Sequence, residues 1–420
     1  MDTDVREMRR RIETFLTSLL PLFQRTEQRI GACQYVCGLL LDGGRKNAAQ
    51  IALRCGGRDQ NIAHFVNQSP WPWTPIRRAL ALRMQADAPA VDAAWGIDDT
   101  GFPKKGAHSV GVAHQYSGTL QRIGNCQVAV TVNYLTDQGS FPLEVALYLP
   151  EAWATDTARR ATVGVPETVT FRHKWALALD LLDQVRAWGL PDRVVLADAD
   201  YGKVTDFRRG LRERGLSYAL AVPKDTQVWT TAVTPLPPAA KGRKATKPQW
   251  PDALRVETVA QALPKSAWHT VTWRDGSKGK LTSRFAAVRV WPAHDTQAGQ
   301  AAEPESWLVI EWPRGAAAPT GYWLSNLSSS STIRVLVRWA KRRRWVEQNY
   351  QELKEEIGLD HFEGRSWQGW HHHVTLTMLA YAFLVAERYR EKKRSRLAAP
   401  PDTPGVPSRP PPISGRLSNV

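Results

Sequence analysis

The stretch RVVLADADYGKVTDFRRGLRERGLSYALAVP, residues 193–223, decides the fold class. An apolar run at 193–198 predicts a buried strand, the residues at about 203–214 predict a helix, and a second apolar run at 216–223 predicts another strand. Strands that alternate with helices in this way are typical of an α/β fold.

The residues upstream extend the same fold. AAWGID (93–98) predicts a buried strand, CQVAVTVNYL (126–135) and FPLEVALYLP (141–150) predict a β-hairpin, and residues 173–188 predict a helix. The order of elements through this part of the chain is therefore β, β, β, α, β, α, β. A mixed sheet with helices on its faces is the natural packing of this series.

The amino-terminal segment, residues 1–90, has helical periodicity. Within it, the apolar segments 31–41 and 47–55 are separated by a turn that contains two glycines and a basic pair. Two short helices around such a turn form either a helix-turn-helix that reads a DNA major groove or an ordinary helical hairpin in a small bundle.

Residues 224–330 and the carboxyl-terminal part differ from the α/β core in their patterns. Strand signals in 224–330 are interrupted by Pro-rich and basic stretches, which predicts a β-rich insert, and eight of the eighteen tryptophans lie there. Helical periodicity returns in 331–395. The Pro-rich residues 396–420 predict a disordered tail.

Charge points to the kind of partner. The 420-residue chain has 56 Lys and Arg against 40 Asp and Glu, a formal net charge of +16, and nucleic acid is the commonest partner of such a basic protein. No apolar run reaches the length of a membrane-spanning helix, and the amino terminus lacks a secretory core. The four cysteines are too few and too scattered for a disulfide framework, so we expect a cytoplasmic protein without a membrane partner.

Acidic residues stand where two predicted strands end. Asp98 and Asp99 end the first strand, and Asp198 ends the fourth. The carboxyl ends of strands are where an α/β fold collects functional groups from distant positions. Carboxylates there suit a hard cation such as Mg²⁺, and two such ions can clamp the attacking and leaving oxygens of a phosphodiester. Taken singly, an aspartate after a strand is most often a turn residue or a helix cap.

A third acid lies on a later predicted helix, RRRWVEQNYQELKEEIGLDHF. An apolar stripe consists of Val346, Tyr350, Leu353 and Ile357. The residues along one flank of this stripe are Arg344, Glu347, Gln351 and Lys354, whereas Glu352 and Glu355 are predicted to face solvent. Glu347 could thus complete a metal site while its basic neighbours meet DNA phosphates. As the alternative, Glu347 and Lys354 are solvated helix charges.

Other basic and metal-binding side chains have weaker patterns. Lys104, Lys105 and His108 form a loop that suits either a phosphate or solvent. The run from Lys341 to Arg344 suits DNA contact. Adjacent helical residues cannot face one point, so the run His371 to His373 is predicted to be a flank or cap and not a metal site.

In combination these motifs resemble one family. The phrases IDDTGFPKKGAHSVGVAHQYSGTLQRIGNCQV (97–128), LADADYGK (196–203) and RWVEQNYQELKEEIGLDHFEGRSWQGWHHH (344–373) are similar to those of the DDE (Asp-Asp-Glu) transposases of bacterial insertion sequences. The resemblance covers roughly 30–390. It is to the branch with a β-rich insertion before the glutamate helix and a Tyr-x2-Arg-x3-Glu-x6-Lys signature, and it implies a ribonuclease H-like α/β fold.

The resemblance implies roles for individual residues. Asp98 is the first catalytic acid with Asp99 as a close rival, Asp198 is the second with Asp200 as the lesser candidate, and Glu347 is the third. These acids would hold two Mg²⁺ ions, with Mn²⁺ as a substitute. No tyrosine precedes Glu347 at the spacing of the signature, which departs from the family. The residues expected to contact DNA are Lys104, Lys105, Lys341, Arg342, Arg343, Arg344 and Lys354.

The resemblance also implies function and domains. It predicts a DNA transposase that cleaves double-stranded DNA at element ends and joins the freed 3′ hydroxyl to target DNA, acting as a homodimer in the cytoplasm on the nucleoid. The alternatives are a ribonuclease H-like metal-dependent nuclease and a catalytically inactive DNA-binding regulator. The predicted domains are a DNA-binding domain (1–90), a catalytic core in two parts (91–223 and 331–395), the β-rich insertion (224–330) and the tail (396–420).

Overall fold

A computed structural model describes residues 3–41, 43–55, 57–137, 139–234, 250–276, 279–294 and 301–398. Of the predicted disordered tail, residues 399–420 lie outside the described residues. Among the described helices, none combines the length and the apolar character that crossing a membrane requires.

The elements up to the predicted insertion follow the expected alternation. The helices of the amino-terminal segment are α1 (Thr3–Leu16), α2 (Thr26–Leu40), α3 (Ala48–Cys55), α4 (Asp59–Asn67) and α5 (Trp73–Asp87). The elements that follow are β1 (Ala94–Pro103), β2 (Ala113–Ser117), β3 (Arg122–Leu135), β4 (Ser140–Leu147), α6 (Glu151–Ala154), α7 (Thr157–Val163), α8 (Lys174–Ala187), β5 (Val194–Ala197), α9 (Ala199–Gly202), α10 (Thr205–Glu213) and β6 (Tyr218–Ala221).

The remaining elements are mostly strands and then helices. They are β7 (Gln227–Trp229), β8 (Leu254–Arg255), α11 (Val256–Ala262), β9 (His269–Gly276), β10 (Gly279–Pro292), β11 (Ser306–Glu311), β12 (Gly321–Ser325), α12 (Ile333–Ala340), α13 (Arg344–Glu355) and α14 (Trp367–Ala398). Strands β7 to β12 fall within 224–330, as expected of a β-rich insertion.

The chain packs as two compact units. The first comprises the described parts of Met1–Ala93, Asp98–Pro191 and Trp345–Val420, and the second comprises Ala94–Ile97 and the described parts of Asp192–Arg344. The domain boundaries given above are a division by function, and they stay a prediction.

In the first unit, β3 pairs antiparallel with both β2 and β4. The register with β4 runs from Ala129↔Leu147 to Leu135↔Ser140, which confirms the predicted hairpin. Helix α8 packs against these two strands and buries Leu182 and Val185. The hairpin and α8 thus form one layer of sheet and helix. The second half of β1, with Asp98 and Asp99, belongs to the same unit.

In the second unit, β1, β5 and β6 pair in parallel, with the registers Gly96↔Leu196 and Leu196↔Ala219. Antiparallel strands continue from β6 through β12, β11 and β10, and β10 also pairs with β9 and with β7. Helix α12 buries Leu336 and Val337 against Phe285 and Val309 of this sheet. The insertion therefore extends the sheet instead of forming a separate layer.

Helix α14 has no solvent face through its first half. Every residue from Gly369 to Phe383 is buried, because the helix is covered by α2, α4, α5 and β4. A helix surrounded in this way buries consecutive positions whatever their periodicity. The prediction of a flank or cap for His371 to His373 is therefore wrong, and these side chains lie in the core.

Candidate active site

Asp98 is buried in the middle of β1, and its side chain and backbone both have partners. The prediction that Asp98 and Asp99 end this strand was wrong, because β1 continues to Pro103. Its residue is 7% exposed. The backbone N–H of Asp99 donates to Asp98 Oδ1 at 2.8 Å. The carbonyl of Asp98 accepts from the hydroxyls of Thr131 on β3 (3.4 Å) and Tyr350 on α13 (3.3 Å). This part of β1 is therefore fixed to β3 and to the glutamate helix.

Asp99, the rival first acid, has a different environment. Its Oδ2 lies 2.6 Å from Nζ of Lys174, in the first turn of α8. Successive strand residues point to opposite faces of a sheet, so Asp98 and Asp99 point away from each other. The carboxylate of Asp99 is thus neutralised by an ion pair with a helix on one face.

Asp198 caps the short helix α9. Its Oδ1 accepts from the backbone N–H groups of Asp200 at 3.0 Å and Tyr201 at 3.3 Å, as an N-cap aspartate does. Its Oδ2 lies 3.5 Å from the guanidinium of Arg343. The cap role expected of a lone aspartate is present, and a cation also faces the second oxygen. Asp200 instead pairs with Lys203 at the surface.

The two aspartates follow registered strand partners at the same distance along the chain, Asp98 within β1 and Asp198 just after β5. Gly96 and Leu196 are registered partners in the parallel pair β1–β5. Asp98 follows Gly96 by two residues, and Asp198 follows Leu196 by two residues.

The apolar stripe of α13 is buried as predicted. Val346, Tyr350, Leu353 and Ile357 are at most 8% exposed. Glu347, in the first turn of the helix, has an exposed side chain. The stripe thus fixes the rotation of the helix and leaves Glu347 on its outer side.

Two other charges of α13 are bound within the protein. Lys354 donates to the carbonyl of Gly101 at 2.9 Å and to the hydroxyl of Thr119 at 2.5 Å, and burial lowers its pKa to about 8. Glu352, predicted to face solvent, instead accepts from Tyr381 (2.9 Å) and Arg388 (2.8 Å) of α14. The prediction that Glu352 faces solvent was wrong, because side chains of α14 bind this polar side of α13.

The basic run before α13 is largely engaged inside the second unit. Lys341 forms an ion pair with Glu311 at 2.7 Å and lies 4.9 Å from the ring centre of Trp273. Arg342 is buried beside Trp339, and Arg343 faces Asp198. Arg344 is half-buried.

The two lysines in the loop after β1, both expected to contact phosphate, differ in their burial. Lys104 donates to the carbonyl of Phe362 at 2.5 Å, and burial lowers its pKa to about 8. Lys105 and His108 are exposed.

The three buried histidines each have their own partners. His371 Nδ1 accepts from Arg77, His373 Nδ1 accepts from Tyr35 at 2.8 Å, and His372 contacts two backbone carbonyls. Burial lowers the pKa of all three. They are core residues.

Carboxylate oxygens are suitable ligands for a hard divalent ion, and the backbone N–H bonds to Asp98 and Asp198 orient two such ligands. Within the ranges that the structure describes, no three His, Cys, Asp or Glu side chains form a group that could hold a metal ion. Sequence reasoning did not anticipate Lys174 or the contact of Arg343 with Asp198, because no motif links positions so far apart.

Comparison with known proteins identifies the class. A family model described as DDE superfamily endonuclease matches residues 18–280, and the chain belongs to that family. The mixed sheet with flanking helices is accordingly a ribonuclease H-like fold, which confirms the predicted fold class. The matched residues include Asp98 and Asp198 and end before α13.

A curated relative gives a more particular likeness. The chain is similar to a protein named "Probable transposase for insertion sequence element IS701" of Microchaete diplosiphon, with 24% identity over 332 residues that cover 77% of this chain and 74% of the relative. The chain is therefore an enzyme of the DDE endonuclease and transposase class that acts on DNA, and enzymes of this superfamily generally use divalent metal ions.

Proposed function

We propose that this protein is a cut-and-paste DNA transposase, in which Asp98, Asp198 and Glu347 hold two Mg²⁺ ions. The enzyme cleaves double-stranded DNA at the ends of its element and transfers the freed 3′ hydroxyl to target DNA. The named likeness to an insertion-sequence transposase supports this choice over a stand-alone nuclease.

The observation that carries the proposal is the register of β1 and β5. Parallel neighbours keep their register residue by residue. Gly96 pairs with Leu196, and an aspartate follows each of them two residues later in the chain, which supports a shared role for Asp98 and Asp198.

The local contacts of the acids support this selection. Backbone N–H groups hold the carboxylates of Asp98 and Asp198, whereas Asp200 pairs with Lys203 at the surface and Asp99 pairs with Lys174. On α13, Glu352 is held by Tyr381, whereas Glu347 is exposed in the first turn.

The three carboxylates would provide hard oxygen ligands for Mg²⁺, and Mn²⁺ would substitute. When bound, such ions supply a deprotonated water nucleophile and stabilise the charge that develops on the phosphodiester oxygens. The protein's part is to orient the ligands: backbone N–H groups hold Asp98 and Asp198, and the buried stripe holds the helix of Glu347.

Basic side chains that are close to these acids in the sequence would bind the DNA backbone. Lys105 is exposed in the loop after β1, and Arg344 begins the helix of Glu347. Contacts of this kind position a duplex without reading its sequence. Two element ends must meet for joining, so we propose that the protein acts as a homodimer on DNA.

Replacement of single acids tests the assignment. We expect Glu347→Gln and Asp198→Asn to bind an element-end duplex normally and to lose Mg²⁺-dependent cleavage by at least a thousandfold. Glu355→Gln on the same helix and Asp200→Asn on α9 are matched controls, because both carboxylates are exposed, and they should retain activity.

A gel assay with a labelled end duplex and a second, unlabelled plasmid measures cleavage and joining separately. Cleavage by Glu347→Gln at the wild-type rate would refute the catalytic assignment. Cleavage by the wild-type protein without any joined product would favour a nuclease instead of a transposase.

A further inference from the structure

Arg208 on α10 is a fully buried arginine close to the turn that carries Asp198. Arg208 is 0% exposed, and its guanidinium forms hydrogen bonds within the protein. Nη1 donates to the carbonyl of Gly202 at 2.6 Å, and Nη2 donates to Thr205 at 2.9 Å and to Glu303. Nε donates to both carboxylate oxygens of Glu303, at 3.1 and 3.2 Å.

Glu303 comes from a distant part of the second unit. It precedes β11 by three residues and is only 6% exposed. Thr205 adds a second link, because its hydroxyl donates to the carbonyl of His294 at 2.6 Å. A buried ion pair of this kind is strongly dependent on both partners, since removal of one leaves the other charged and buried. Segments of the predicted insertion therefore hold Arg208 in place.

The contact with Gly202 connects this pair to Asp198. Helix α9 is a single turn, in which the N–H of Gly202 donates to the carbonyl of Asp198 at 2.8 Å. The same turn presents the two N–H groups that hold the Asp198 carboxylate. On the other side, a Cβ added at Gly202 would lie 1.9 Å from the carbonyl oxygen of Ala221 on β6. The turn is thus confined between β6 and the Arg208 guanidinium.

We propose that Arg208 and Glu303 are positioning residues that set the orientation of the Asp198 carboxylate for its metal ion, so that the predicted insertion fixes this one ligand. This inference rests on the proposed function. Residues that orient a metal ligand commonly change metal affinity by about ten- to a hundredfold when replaced. A lysine at 208 keeps the charge but has one short head group, which cannot reach Gly202 and both oxygens of Glu303 together.

The test uses the full chain and Mn²⁺ alone, without DNA. We expect Arg208→Lys and Glu303→Gln to weaken Mn²⁺ binding by about tenfold in calorimetric titration. Amide hydrogen exchange of the peptide containing Tyr201 should become faster in both variants, because its N–H loses a fixed acceptor. Arg209→Lys is the matched control: Arg209 is the next residue on α10 and pairs with Asp206 at the surface.

The outcomes separate this inference from the proposed function. Wild-type Mn²⁺ affinity and wild-type exchange in Arg208→Lys and Glu303→Gln overturn the positioning role, as does an equal loss in Arg209→Lys. If Arg208→Lys does not fold, Glu303→Gln decides, because glutamine keeps an oxygen acceptor at that position. If Asp198→Asn itself binds Mn²⁺ and cleaves DNA normally, the proposed function fails, whatever the behaviour of the two positioning variants.

Discussion

Acid should destabilise this protein through His373, a buried residue of α14. Its Nδ1 accepts a hydrogen bond from Tyr35, and its Nε2 donates to the carbonyls of Gly358 and Leu359 at 3.1 Å. The neutral ring therefore satisfies every bond, and a second proton on Nδ1 would place a charge in the core and displace Tyr35. Burial accordingly lowers the pKa of His373 to about 3 from its ordinary 6.5.

The size of the effect follows from proton linkage. Between pH 6.5 and pH 3, the unfolded chain binds one proton more than the folded chain at this position, so stability falls as the pH falls through this window. Each pH unit costs about 1.4 kcal/mol, so the change from pH 6.5 to pH 5 costs about 2 kcal/mol. That is a large part of the roughly 5–15 kcal/mol that stabilises a typical folded protein.

The assay compares urea unfolding of the wild type and His373→Gln between pH 7 and pH 5, followed by tryptophan fluorescence. At pH 7 we expect the variant to be less stable by about 1–3 kcal/mol because Tyr35 loses its acceptor. At pH 5 the difference should shrink by about 2 kcal/mol, since glutamine does not titrate. Replacement of the exposed His108 by glutamine is the control. Parallel stability curves for the wild type and His373→Gln would refute the reasoning.

Two further predictions concern α9 and the amino-terminal helices. Gly202→Ala should lower the free energy of unfolding by about 1–3 kcal/mol in thermal or urea unfolding, because its methyl group would collide with the Ala221 carbonyl. Gly118→Ala is the control, because the position lies in open space and the change should have little effect. Equal losses in the two variants would contradict the packing argument. Helix α4 buries Ile62 and exposes Asn61. On the hypothesis that α4 reads the element end, Asn61→Ala should weaken binding to that duplex by about 1–3 kcal/mol. Binding to unrelated DNA should stay unchanged in the same gel-shift assay. Equal weakening on both duplexes would show that Asn61 does not read bases.

Much of the core was predictable because its strands are apolar and its long helices periodic. The hairpin of β3 and β4, helix α8 and the buried stripe of α13 all follow from local patterns. Strand β2 was missed because AHQYS is mostly polar and alternates between half-buried and exposed positions at the edge of the sheet. Helix α9 was missed because its single turn is formed by the cap of Asp198 and has no periodicity to detect.

The proposed site was predictable only as a set of positions. Sequence patterns give Asp98, Asp198 and Glu347 as candidates with Asp99 as a rival, whereas the ion pair of Asp99 with Lys174 is seen only in the structure. The helix pair predicted at 31–41 and 47–55 corresponds to α2 and α3. Long-range partners such as Glu303 for Arg208 leave no periodic signal, because their spacing along the chain follows from topology alone.

The anchoring of Glu352 has a consequence for shortened forms of this protein. Its carboxylate is held by Arg388, 36 residues further along the chain and ten residues before α14 ends. A chain cut just before Arg388 would keep all three acids of the proposed site and every strand of the sheet. It would nevertheless lose the ion pair that holds the helix bearing Glu347. Natural truncations of the gene that retain the three acids therefore need not retain the activity.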